Sequence, residues 1–213
     1  MRITIFTDNQ KSWFVPFGRK LNEKLLALGH DSNYIFDKND ISEGDVCFLL
    51  SCSKLLQKDY LLRNKNNIVV HASDLPSGKG FSPLQWQILE NKDKIVLTLF
   101  EVDEAVDSGP YYFKDNVTFF GYELYDEMRE ILGDKIVEMC VIYSESKDKL
   151  APIEQEGIES FYKKRNFNDD EININLTIAE QFNLIRIADF ENYPLWFNYL
   201  GKKYFIKVER QKD

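Results

Sequence analysis

The sequence predicts an α/β fold: a mostly parallel sheet with helices on its faces, followed by a short helix and a β-hairpin. Short apolar runs recur at 3–6, 45–50, 68–70 and 95–100, the pattern of buried strands. Between the first two runs, Phe17, Leu21, Leu25 and Leu28 recur at helical spacing, which gives one apolar stripe. Strand and helix patterns alternate through the first half of the chain. That order favours parallel strands joined by crossover helices.

Residues 3–6 form the first expected strand, followed by the polar loop 7–12. No Gly-x-Gly-x-x-Gly follows it, so a dinucleotide site of the usual kind is unsupported. Lys11 and Trp13 stand at the carboxyl edge of the sheet. They face a ligand there, or they are an exposed lysine and an aromatic that packs the loop. A helix over 15–28 stops at Gly29-His30. Residues 31–36 and 45–50 read as the second and third strands, and 55–62 as a short helix. The run 68–70 then leads into His71 and breaks at a Pro- and Gly-containing loop. His71 therefore stands at the carboxyl end of a strand, where open α/β sheets hold their ligands. The strand over 95–100 opens into the acidic loop with Asp107, where the two side chains can meet across the sheet end. Residues 110–113 read as a further strand. A helix over 122–144 carries Leu124, Met128, Ile131, Met139 and Tyr143 near one stripe, which is core packing, with Gly133 expected to bend or interrupt it.

The chain changes character near residue 151. A basic cluster over 162–166, a helix over 178–187 and an aromatic hairpin over 194–208 follow. The expected division is a main domain over 1–150 and an extension over 151–213. With 213 residues and a hydrophobic fraction of 44%, the chain is long enough for one full core. The formal net charge of −8 argues against a general nucleic-acid binder, which needs a basic surface to neutralise phosphates. Cys47, Cys52 and Cys140 form no metal-ligand spacing and read as buried thiols of a reducing compartment. No secretory leader opens the chain and no apolar stretch reaches the roughly 18–20 residues of a membrane span. A cytoplasmic protein is expected.

The stretch 67–109 resembles the folate-dependent formyltransferases, most of all those acting on sugar nucleotides. His71, Ser73, Leu75, Pro76, Lys79, Gly80, Pro83, Gln85 and Trp86 match the first part of that family's signature, and Asp107 and Gly109 match the second. The tail is also similar: Asn183, Ile185 and Arg186, then Tyr193-Pro194, take the places of an Asn-x-Ile-Arg helix and a Tyr-Pro turn. The resemblance implies a Rossmann-like formyltransferase fold. It implies transfer of a formyl group from 10-formyltetrahydrofolate to the amino group of a nucleotide-linked amino sugar, with a homodimer allowed. Other acceptors in the family are methionyl-tRNA and glycinamide ribonucleotide. A folate- or nucleotide-binding homologue without turnover is the alternative of a different class. The sequence departs from the family at one point: the catalytic Asn two residues before the His is Val69 here.

Formyl transfer is acyl transfer to an amine. It needs donors for a developing oxyanion and a group that moves a proton between two nitrogens. An imidazole beside a carboxylate suits both tasks. The chain has only two His, and His30 follows a helix-ending glycine, so His71 and Asp107 are the expected catalytic pair. The resemblance places the folate beside Val102, Asp103, Glu104 and Val106, against Leu55 and Leu56, which are equally explicable as core. Lys11, Trp13, Ser73 and Lys79 are the expected substrate-side residues. Ser73 bonds the loop backbone or donates to a ligand.

Overall fold

The computed structural model describes residues 1–103 and 106–211. The chain runs β1 (Arg2–Phe6), α1 (Val15–Ala27), β2 (Asp31–Ile35), β3 (Gly44–Leu49), α2 (Lys58–Leu61), β4 (Asn64–His71), β5 (Lys79–Gly80) and α3 (Pro83–Leu89). It continues through β6 (Lys94–Glu101), β7 (Tyr111–Thr118), α4 (Tyr125–Ser146), β8 (Phe161–Tyr162), α5 (Phe182–Arg186), β9 (Leu195–Tyr199) and β10 (Lys202–Ile206). Six strands build the main sheet in the order β2-β1-β3-β4-β6-β7. The first four are mutually parallel. β6 runs antiparallel to both β4 and β7.

Strand alternation divides the interior into two layers. Ile3, Ile5, Val46, Phe48 and Ile68 face the larger core, where they meet Leu21 and Leu25 of α1 and Met128, Met139 and Tyr143 of α4. Phe6, Cys47, Leu49 and Val69 face the smaller layer with Leu56 and Val102. His71 lies two residues beyond Val69, so it shares this second face. A third cluster of Ile172, Ile185, Ala188 and Leu195 holds the tail together.

Several elements differ from the sequence expectation. The helix expected over 55–62 shrinks to the single turn of α2, because Leu55 and Leu62 are about three-quarters exposed and supply no buried stripe. The helix expected over 178–187 splits into a 3-10 turn, Ala179–Gln181, and the short α5. Gly133 does not interrupt α4, which is continuous. A Cβ there would lie 2.6 Å from the Phe17 ring, so the glycine admits the close approach of α1. Ile131 of the expected stripe faces outward, 38% exposed. Among the described residues no helix is long and apolar enough to cross a membrane.

Candidate active site

β4 ends at His71 because the chain leaves the sheet there into the loop 72–78. The loop returns as β5, which pairs in parallel with β8 of the tail. This loop folds back on the imidazole: His71 Nε2 lies 2.9 Å from the Gly78 carbonyl oxygen. A carbonyl only accepts, so Nε2 carries the hydrogen. Asp107 Oδ2 lies 3.7 Å from the same nitrogen, just beyond hydrogen-bond length. That oxygen accepts a hydrogen bond from the Gly80 backbone N–H at 2.8 Å. Both side chains are largely buried, at 10% and 16% exposure.

The two residues do not meet in the way strand direction suggests. Because β6 is antiparallel to β4, its last residue, Glu101, stands opposite Ile68 rather than at the carboxyl end of β4. The loop 102–110 then carries Asp107 back to His71. Two local features force that path. Asp107 adopts a left-handed backbone, φ 51°, which non-glycine residues rarely adopt. Gly109 packs so tightly that a Cβ would lie 1.9 Å from the Glu101 carbonyl oxygen. Gly80, at φ 96°, is pinned in the same way, with a Cβ 2.5 Å from the Tyr162 carbonyl oxygen.

His71 and Asp107 line a cavity of about 540 Å³, the size of an ordinary small-molecule site. Part of its wall is apolar: Leu49, Leu50, Leu55, Leu56, Val69 and Val102. Asp103 and Val106 also line it, whereas Glu104 lies outside the described residues. Trp13 reaches the cavity, but Lys11 is exposed and does not line it. Ser73 and Lys79 are likewise absent from the lining. Both are 1% exposed. Among the described residues the Ser73 hydroxyl has no hydrogen-bond partner, while Lys79 Nζ donates to Glu159 at 2.6 Å and Ser108 at 2.7 Å. Lys79 thereby ties the two site loops to the tail.

Further residues line the cavity, and two of them, Arg129 and Tyr125, belong to no motif in the sequence. Arg129 of α4 stacks on the Tyr125 ring at 4.0 Å and pairs with Asp189 at 2.8 Å. Burial works against the Asp189 charge, yet Asn192 and the Arg129 guanidinium hold its carboxyl below the usual range. Tyr125, Lys164, Tyr193 and Gln85 also line the cavity. The neighbours of Lys164 in the basic cluster are structural: Lys163 pairs with Asp169 and the buried Arg165 pairs with Asp170. Burial lifts the Cys52 thiol on the cavity wall far above its ordinary range, which keeps it un-ionised and weakly nucleophilic. His30 lies apart from the site, with Nδ1 3.4 Å from the Met1 amino group.

Residues 22–140 match the sequence pattern of the family described as formyl transferase. The methionyl-tRNA formyltransferase of Thermodesulfovibrio yellowstonii is 25% identical over 185 residues, covering 85% of this chain and 57% of that protein. The chain thus spans little more than half the length of that relative. Among solved structures, a methionyl-tRNA formyltransferase from Clostridium thermocellum superposes with a TM-score of 0.80 at 22% identity, covering 97% of each chain. A 4-N formyltransferase from Francisella tularensis superposes at 0.75 with 18% identity, over 100% of this chain and 98% of that one. At those identities the two structures share the fold.

Proposed function

We propose, for a chain that belongs to the formyl transferase family, that it moves a formyl group from 10-formyltetrahydrofolate to the amino group of a small acceptor, a nucleotide-linked amino sugar. The observation that carries this reading is the approach of His71 and Asp107 to 3.7 Å at the wall of one cavity. The residues present fit the donor. Leu50, Leu56, Val69 and Val102 give a flat heterocycle an apolar wall, and the volume suits a ligand of that size.

When bound, the donor supplies a formyl group whose bond to the donor nitrogen breaks as a bond to the acceptor nitrogen forms. Asp107 Oδ2 is occupied by Gly80, so Oδ1 takes the proton that the acceptor nitrogen loses. The carboxylate then returns it to the leaving nitrogen, which balances the transfer. The imidazole of His71, whose Nε2–H points at the Gly78 carbonyl oxygen, shares that N–H with the formyl oxygen, on which negative charge develops. Val69 adds an apolar surface to the cavity wall. Lys164 brings positive charge to the cavity, suited to the phosphates of a nucleotide-linked acceptor.

A second acceptor, methionyl-tRNA, is favoured by the 25% identity to a protein of that name. The net charge of −8 weighs against it. Incubation with radiolabelled 10-formyltetrahydrofolate and either a panel of nucleotide-linked amino sugars or methionyl-tRNA separates the two. Label is expected on an amino sugar. Label on tRNA alone would replace the first acceptor with the second.

A further inference from the structure

The segment 153–162 lies outside the stretch that matches the family and outside the cavity lining, yet it is fastened to both site loops. Ile153 and Tyr111 exchange backbone hydrogen bonds of 2.8 and 2.9 Å. The Ser160 hydroxyl accepts from the Gly78 N–H at 2.8 Å, next to the carbonyl that holds His71. Between these ties stands Gln155. Its Nε2 donates to the Asp107 carbonyl oxygen at 3.0 Å and to the Gly109 carbonyl oxygen at 2.7 Å. Among the described residues its Oε1 is buried and has no hydrogen-bond partner. We propose that Gln155 is a positioning residue: its amide clamps the loop 102–110 from behind and thereby aims the Asp107 carboxylate at His71 and Gly80. This rests on the reading of Asp107 as a catalytic group.

A left-handed residue in a loop points its carbonyl away from any strand ladder, and that carbonyl needs a donor when covered. Asp107 is such a residue, and the described donors to its carbonyl come from Gln155. The two hydrogens of one NH₂ group span the carbonyls of residues 107 and 109, on either side of Ser108. They fix the local turn as a unit. Gly109 cannot shift to compensate, because it already sits against Glu101. The side chain is held through its two donors, while Oε1 finds no partner among the described residues. Solvation of Oε1 would be lost for nothing if the clamp were incidental.

The Gly80 N–H reports the aim of Asp107 directly, because it donates to that carboxylate. The experiment reads the ¹H–¹⁵N resonance of Gly80 in the full chain. It compares wild type with Gln155→Leu, Gln155→Glu and Asp107→Asn, and measures formyl transfer to the best acceptor of the panel in parallel. In wild type the Gly80 amide proton is expected downfield, because it donates to a carboxylate. Gln155→Leu is expected to move it upfield, as Asp107→Asn does, and to lower kcat about 10²-fold, the effect of an ångström-scale misplacement. Gln155→Glu keeps the shape, faces two carbonyls with an anion, and is expected to behave like the Leu variant; it serves if the Leu variant does not fold. A Gly80 resonance and kcat both unchanged in a folded Gln155 variant would overturn the proposal. Full turnover by Asp107→Asn would instead overturn the catalytic reading of Asp107, while the Gly80 resonance still decides the role of Gln155.

Discussion

Val69 and His71 present the same side of β4, because residues two apart on a strand share a face. Val69 packs with Leu49, Cys52, Leu56 and Val102 and lines the cavity, so the place of the family's amide is filled by an apolar wall. Val69→Asn puts a donor back at that wall. The expected outcome is a kcat at or above wild type, with a lower melting temperature, because an amide that finds no partner when the cavity is empty costs on the order of 1–3 kcal/mol. Steady-state rates and thermal melts check it. A variant that melts normally and turns over more slowly would show that the formyl group lies elsewhere. At this scale the sequence makes His71 and Asp107 legible because each sits in a run of motif residues. Arg129 carries no such mark, since a helix read as a core stripe hides an arginine on its flank. Gln155 is hidden by distance: its bonds reach back 48 and 46 residues to Asp107 and Gly109.

Strands were the easiest elements to read, because buried strands are short, apolar and bounded by turn residues. The direction of β6 was not readable from the same run. An apolar strand looks alike whether it is entered from above or below, and the chain between β4 and β6 holds a helix in either case. The consequence falls on the loop 102–110, which must double back to bring Asp107 to His71. Gly109 is the element's weak point. Gly109→Ala sets a Cβ against the Glu101 carbonyl oxygen, so the loop must move by an ångström or more. The expected result is a loss of about 10²-fold in kcat with the far-ultraviolet circular dichroism unchanged. Turnover equal to wild type would mean that the loop's position does not matter to the chemistry. The helix expected over 55–62 is one turn, Lys58–Leu61, because apolar residues without a face to bury do not prolong a helix.

For the whole molecule, charge and cavity point the same way. A net charge of −8 repels a polyanion at long range, whereas a cation lining the cavity, Lys164, attracts a phosphate locally. Transfer to the amino-sugar acceptor is therefore expected to fall only modestly as salt rises. An acceptor that neutralises many phosphates loses affinity by orders of magnitude between 50 and 200 mM salt, and a dependence that steep would indicate tRNA. The proposed transfer turns on His71 beside Asp107. The most direct measurement is the single-turnover rate of label transfer from 10-formyltetrahydrofolate by His71→Ala, beside wild type and with circular dichroism on both. A folded variant slowed by about 10²–10³-fold, the usual cost of losing one such donor, is the predicted result. A folded variant that transfers label at the wild-type rate would contradict the account.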